Sequence, residues 1–331
     1  MQNLTRSYSG KKVLVTGGLG FLGSNLAHEL VRLGAKVTLL DSFLPLHGGN
    51  LFNVRDISRK VRVVRGDIRN AALMKKLVKG HNVLFNIAAQ TSHTDSIDRP
   101  FLDIDINALG QINILESCRK FAPAIKIVYC STRAIYGSAP VRLVGENCPV
   151  NPMDIYAVDK LAGEYYHQIY NRVHGLKTVV LRVSNGYGPR AQMKQPSFGI
   201  LNWFIRLVVD NSDIKIFGDG KQVRDYMHVD DISKAFLAAG AQNFDGCPTF
   251  NVGTGRGIPL IDIVKKIVQI AGKGRIVYVP WPEKNKKIDV GDFIADVSKI
   301  KRGLKWRDSV PLEQGLKQTI EYYEKNKNYY W

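Results

Sequence analysis

Gly17-Gly18-Leu19-Gly20-Phe21-Leu22-Gly23, directly after the apolar run Lys12-Val13-Leu14-Val15-Thr16, is the stretch on which the fold turns. The run reads as a strand buried on both faces. From Phe21 to Leu33, the apolar residues Leu22, Leu26, Leu30 and Leu33 recur at helical spacing. The glycines therefore sit at a strand-to-helix junction, where bare backbone lets a pyrophosphate approach the unpaired N–H groups and positive dipole end of the helix. The next strand, Lys36 to Leu40, ends at Asp41. That is about 20 residues on, where a dinucleotide-binding turn places a carboxylate for the adenosine ribose. Asp41 would repel a 2′-phosphate, and Ser42-Phe43 supplies no arginine to neutralise one. NAD is expected over NADP, held by Gly17, Gly20, Phe21, Leu22, Gly23, Asp41 and Ser42. The alternative role for Asp41 is a strand-end cap.

A domain's length downstream, Ile155-Tyr156-Ala157-Val158-Asp159-Lys160 sets a phenol and an ammonium one helical turn apart. The Lys160 charge favours phenolate and draws a tyrosine pKa from about 10 toward working pH, which would make Tyr156 a base. On an arbitrary helix, the same pair would be surface neighbours. Between the two motifs, strand and helix patterns alternate. Arg62–Arg65 ends at Gly66-Asp67-Ile68, Asn82–Ile87 at Ala88-Ala89-Gln90, and Ile125–Cys130 at Ser131-Thr132. Helical stretches lie at about Ala71–Lys79 and Asp103–Lys120, the latter carrying Asn107. A further strand, Thr178–Val183, runs into Ser184-Asn185-Gly186-Tyr187-Gly188-Pro189-Arg190. Small and polar residues thus gather at the C-terminal strand ends, where open parallel sheets bind ligands. The expected fold is α/β, a Rossmann-type doubly wound parallel sheet with a smaller C-terminal α/β substrate-binding part. Residues 1–188, rejoined by about 223–253, would bind NAD; residues 189–222 and 254–331 would hold the substrate.

With 331 residues and no apolar run of 18, the chain is expected to form one large α/β unit with a smaller part and no membrane span. Met1-Gln2-Asn3-Leu4-Thr5-Arg6 lacks a hydrophobic signal core, so secretion is not expected. Cys118, Cys130, Cys148 and Cys247 show no CxxC spacing, which suits reduced thiols in a cytoplasm. No metal cluster is visible. A formal charge of +18 raises the question of nucleic acid. The basic residues are spread along the chain, however, and the densest run, Lys284-Asn285-Lys286-Lys287, has only Trp281 as an aromatic neighbour. A positive field would equally attract an anionic nucleotide substrate.

Taken in order, these motifs resemble the extended short-chain dehydrogenase/reductases, in the group of NAD-dependent nucleotide-sugar epimerases and dehydratases. The resemblance runs over almost the whole chain. It extends through Cys130-Ser131-Thr132-Arg133-Ala134-Ile135-Tyr136-Gly137, Arg224-Asp225-Tyr226-Met227-His228, Phe250-Asn251-Val252-Gly253 and Gly303-Leu304-Lys305-Trp306. It implies that Asp67 and Ile68 meet the adenine, and that Ala88, Ala89, Gln90 and Asn107 lie along the cofactor. Cys130 would sit beside the nicotinamide, with no His base evident to make it a nucleophile. Tyr156 would take a sugar hydroxyl proton as hydride leaves the same carbon, Lys160 would lower the phenol pKa and hold the nicotinamide ribose, and Thr132 would bond the same sugar oxygen.

For the substrate, the resemblance implies contacts from Thr132, Asn185 and Arg224, with Arg133 and Arg190 near the sugar. Asp292 matches a ribose-binding carboxylate. Asp289 stands where the family has a phosphate-binding arginine, and Lys287 would replace that charge. The plainer alternatives are that Asn185 caps a turn and Arg224 pairs with Asp225 or Asp230. Where 4,6-dehydratases carry Asp-Glu after the catalytic Thr, this chain has Arg133-Ala134, so elimination and decarboxylation lose their acid/base group. Epimerisation of a UDP-sugar at C4 is the expectation. Open alternatives are C2 epimerisation of a CDP-sugar, which part of Gln195–Phe204 resembles, and reduction of a keto-sugar. A non-catalytic NAD-sensing or nucleic-acid-binding role on the same fold is the alternative of another class. His93 lies in a loop that could reach the sugar and is left out of the catalytic set. The C-terminal tyrosines and Trp331 read as an amphipathic helix with a frayed end. Helices around Asp103–Lys120 and Asp154–His174 would form a homodimer.

Overall fold

The computed structural model describes residues 2–331, so Met1 lies outside the described residues. Seven strands form the central sheet: β1 Lys12–Thr16, β2 Lys36–Asp41, β3 Val61–Arg65, β4 Val83–Asn86, β5 Lys126–Thr132, β6 Lys177–Val183 and β7 Thr249–Val252. Their order across the sheet is β7-β6-β5-β4-β1-β2-β3, and every neighbouring pair is parallel. The order reverses at β1, where β4 and β2 flank it, which opens a crevice at the C-terminal ends of β1 and β4.

Alternation of side chains along each strand feeds two cores. Val13 and Val15 of β1 join a cluster with Leu26, Leu30 and Phe236, while Leu14 joins Leu77, Leu84 and Ile114 on the other face. Both faces of the sheet are thereby covered, which is why the strands read as continuous apolar runs. The helix Phe21–Arg32 buries Leu26 and Leu30 in that core, whereas Leu22 turns to the crevice.

A third core lies under the C-terminal part. Helices Ile200–Val209, Leu260–Ala271 and Leu312–Asn326 pack Phe204, Ile205, Ile263, Leu316 and Tyr323 around the parallel pair Asp213–Phe217 and Arg275–Val279. Val223–His228 pairs antiparallel with Gly257–Pro259 and parallel with Asn185–Tyr187.

Several elements depart from the sequence expectation. The stretch 103–120 belongs to a longer helical run that begins at Pro100, loosens into a π turn over Asp105–Leu109, and continues as Gly110–Phe121. At Gly110, a Cβ would lie 2.8 Å from the Ile68 side chain, so glycine admits that contact. His93–Asp98 is a short helix rather than a loop, with Ser92 Oγ accepting from the Asp95 N–H at its start. The C-terminal end is docked rather than frayed: Tyr330 is buried, and its hydroxyl donates to Asn53 Oδ1 at 2.6 Å. Among the described residues, no helix is long and apolar enough to cross a membrane.

Candidate active site

The first cavity, about 290 Å³, opens over the glycine turn. Gly17 has φ +65°, and a Cβ there would sit 3.0 Å from Ala88 Cα, so the β1 and β4 ends approach as bare backbone. Gly20 caps the helix Phe21–Arg32 without a side-chain hydrogen bond and faces the cavity with Phe21 and Leu22. Gly23 stands behind them, where a Cβ would meet Gly17 O at 2.1 Å; it packs helix on strand rather than lining the space. At the β2 end, Asp41 and Ser42 line the cavity. The Asp41 carboxylate takes the capping role, accepting the N–H groups of Leu19 and Phe43, each at 3.0 Å, while it also lines the cavity. Asp67 and Ile68 border the same end, and Ala88 and Ala89 the wall.

Gln90 and Asn107 lie outside the lining of this cavity. They are buried behind the loop. Asn107 donates to Gln90 O at 2.9 Å and to Asp103 Oδ1 at 3.0 Å, and Gln90 donates to Asp103 Oδ2 at 2.6 Å. The π turn aims Asn107 at the loop's backbone, so these two residues set the loop's shape.

Cys130, Thr132, Tyr156 and Lys160 close the inner end. Asp154 caps the helix Ile155–His174 by accepting the Ala157 N–H at 2.8 Å, which starts that helix one residue before Tyr156. Thr132 is the last residue of β5 and accepts the Ala134 N–H at 3.1 Å, and its side chain is hydrogen-bonded to Tyr156. The expected lowering of the Tyr156 pKa is not met in the protein alone. Burial holds the phenol well above its ordinary range, and the Thr132 hydrogen bond offsets only part of that. Lys160 is itself depressed by burial, with Cys130, Glu164 and Asp103 opposing, and its ammonium sits 4.4 Å over the Tyr129 ring. Burial likewise raises the Cys130 thiol, which argues against a nucleophile.

His93, left aside on sequence grounds, is brought to this point. Its Nδ1 lies 2.5 Å from Asp154 Oδ2, and its ring meets Tyr156 edge-on at 5.1 Å. Only the short helix after Gln90 turns it inward, and no local pattern announces that.

A second cavity, about 830 Å³, adjoins the first at Thr132, which lines both. Arg133, Asn185 and Arg224 are on its wall. Asn185 Nδ2 donates to Asp225 O at 3.1 Å, and its Oδ1 accepts from Arg133 Nε at 3.3 Å. Arg224 pairs with Asp289, at 2.7 Å, rather than with Asp225 or Asp230, and also donates to Gly291 O. Asp225 is spent on the N–H groups of Thr254, Gly255 and Ala295. Three expected contacts fall outside both linings. Arg190 has φ +70°, which turns it to Asn25 Oδ1 at 2.7 Å and over the Tyr322 ring. Lys287 is exposed, and Asp292 accepts the Val223 N–H at 2.7 Å. Pro196, Phe198 and Trp203 from the segment 195–204 line the second cavity, facing Phe217 and Trp281.

A crevice at the sheet's reversal, a glycine turn and a Thr-Tyr-Lys set at its inner end define a dinucleotide-dependent enzyme of the short-chain dehydrogenase type. Residues 13–253 match the model of the NAD dependent epimerase/dehydratase family, and the chain belongs to that family. It is 36% identical over 319 residues to a putative UDP-glucose 4-epimerase of Methanocaldococcus jannaschii, covering 95% of this chain and 99% of that one. It is 33% identical to a UDP-glucose 4-epimerase of Mycolicibacterium smegmatis, over 96% and 99% of the two chains. The crystal structure of a Thermotoga maritima UDP-glucose 4-epimerase with UDP-glucose superposes with a TM-score of 0.87 at 33% identity, covering 96% and 99%. The first cavity fits the family's NAD: the glycine turn is one that a Cβ would fill, and the Asp41 carboxylate lines the cavity at the end of β2.

Proposed function

We propose that this chain interconverts UDP-hexoses at C4. Bound NAD, held over the glycine turn, would supply the hydride acceptor for C4 and the hydride donor to the opposite face of the sugar. Tyr156 takes the 4-hydroxyl proton and gives it back, and Thr132 bonds the same oxygen so that one orientation is held at each transfer. Lys160 keeps positive charge beside the phenol and the cofactor ribose. His93 and Asp154 fix the near side of Tyr156, and the roomy second cavity lets the keto-sugar turn. Asn185 and Arg224 hold the diphosphate side, with residues 189–222 and 254–331 supplying most of the nucleotide-sugar walls.

The observation that carries this reading is the meeting of the two cavities at Thr132, with Tyr156 beside it on the wall of the first, and Thr132 is followed in sequence by Arg133-Ala134, which offer no carboxylate for elimination. Proton NMR in D2O of UDP-glucose with the purified protein and no added NAD tests it. Conversion to UDP-galactose without deuterium at C5 or C6 is expected; deuterium uptake there would mean elimination chemistry. A CDP-sugar run in parallel tests the C2 reading, for which part of segment 195–204, on the wall of the second cavity, carries the sequence resemblance.

Supporting a homodimer is the outer face of two packed helices. Val158, Tyr165, Ile169 and Val173 are exposed on one, and Phe101 and Leu109 on the other, with Phe101 82% exposed. The four cysteines are free thiols, which suits a cytoplasmic setting.

A further inference from the structure

We propose that the hexose accepted here bears a carboxylate at C6, recognised by Arg133 with the Tyr226 hydroxyl; this deepens the UDP-hexose reading and rests on it. Arg133 follows Thr132 directly, at the start of the turn Arg133–Tyr136, so its side chain leaves the backbone beside the reacting group. It projects into the wall of the second cavity. Its Nε donates to Asn185 Oδ1, a neutral amide. The strongest charge acting on it is another guanidinium, Arg224. The carboxylate nearest in effect, Asp289, is committed to Arg224 at 2.7 Å.

Burial and the Arg224 charge together push the Arg133 guanidinium down to about 9, where an arginine ordinarily stays above about 12. A second donor stands on the same wall. The Tyr226 side chain is 3% exposed, its hydroxyl has no hydrogen-bond partner among the described residues, and Arg224 and Arg133 both act on it electrostatically. The Arg133 guanidinium lies over the Phe293 ring at 5.5 Å and has no carboxylate of its own among the described residues, and the buried Tyr226 hydroxyl is left unpaired, so both are matched by an anion that binds there. A guanidinium fork suits a planar, two-oxygen anion, and a phenol O–H adds one donor to it.

Position separates the sugar carboxylate from the diphosphate. C4 must meet Tyr156 and Thr132, and C6 hangs from C5, the ring neighbour of C4. The diphosphate hangs from C1, across the ring. Arg133 is the residue next to Thr132 and lines the cavity that Thr132 also lines, which puts it at the C4 end.

The test is titration calorimetry of the NAD-loaded protein with UDP, UDP-glucose and UDP-glucuronate. The parent is expected to bind the uronate at least about tenfold more tightly than the neutral sugar, the worth of one charge-assisted bidentate contact. Arg133→Gln is expected to collapse that ratio toward one. Arg133→Lys, which keeps charge without the fork, should keep part of it, and Tyr226→Phe should lower it modestly. Equal affinity of the parent for both sugars overturns the proposal. So does an Arg133→Gln variant that weakens UDP, UDP-glucose and UDP-glucuronate by one common factor, because the guanidinium then serves the diphosphate. Should Arg133→Gln fail to fold, the parent's ratio and the Lys variant still decide. Proton NMR on the same samples separates the two readings: selective uronate binding without conversion sinks the epimerase reading alone, and conversion with equal affinities sinks carboxylate recognition alone.

Discussion

Around Tyr156, burial and hydrogen bonding pull the phenol in opposite directions, loss of water raising its pKa and the Thr132 contact lowering it. Phenolate forms only as pH rises, so kcat/KM should climb with pH along an acid limb. Positive charge brought beside the phenol moves that limb down. Tyrosinate absorbance should therefore appear at lower pH in the NAD-loaded protein than in the stripped protein, a difference that Tyr156→Phe abolishes. Tyr156→Phe should keep NAD and lose about 100-fold or more in kcat. Equal turnover would remove Tyr156 as the base. Thr132, Tyr156 and Lys160 were legible because their spacing is local: one strand end and one helical turn. Arg190 and Asp292 were not, since Asn25 and the Val223 N–H that engage them lie far off in sequence, and Lys287 is simply exposed. A left-handed backbone turns Arg190 to Asn25, and the Asp289 carboxylate takes up Arg224 from another segment.

The helix Ile155–His174 is inverted relative to an ordinary surface helix. Its buried face is polar, with Tyr156, Asp159, Lys160, Glu164 and His167. Glu164 binds Arg182 at 2.7 Å and accepts Ser131 Oγ, while Arg182 reaches on to Tyr136, which donates to Asn251. Breaking such a pair strands a buried charge, so Glu164→Gln should cost about 3 kcal/mol, read as a lowered urea midpoint. Asp159 is different. Burial first, then the hydrogen bond and charge of Asp103, raise its carboxyl to about 7. A raised carboxyl binds its proton more tightly in the folded state, so it favours folding at low pH. That contribution fades as pH climbs from the unfolded value near 4 through about 7. Asp159→Asn, which mimics the protonated form, should match the parent's urea midpoint near pH 5 and exceed it near pH 8. A constant difference between the two pH values would rule out the raised Asp159 carboxyl.

Across the whole molecule, the parallel sheet was legible because strands covered on both faces are apolar throughout, and their C-terminal ends carry the motifs. Elements held by polar contacts left no such trace. Leu51–Lys60 is a 3-10 stretch anchored by Asn50 and Asn53, and the C-terminal tyrosines close over it. The outward apolar stripe makes Ile169→Asp a test of assembly: light scattering should show the parent as a dimer and the variant as a monomer. A parent that scatters as a monomer would sink the homodimer. The C-terminal end makes the longest connection. Tyr329 stacks on Phe52 at 3.8 Å, and Tyr330 bonds Asn53, whose amide donates to Leu19 O at 2.8 Å and to Arg190 O at 3.2 Å. Leu19 in turn donates to Asp41, which lines the first cavity at the end of β2. The last residues thus brace the glycine turn from behind. Deleting residues 329–331 unties the Asn53 contact, a loss of about 1–1.5 kcal/mol and so roughly tenfold in affinity for whatever the turn holds. NAD released from the truncated protein by heat and quantified by chromatography should fall well below the parent's, with the circular dichroism spectrum retained. Full NAD content in the truncated protein would show that the glycine turn keeps its shape without the tail.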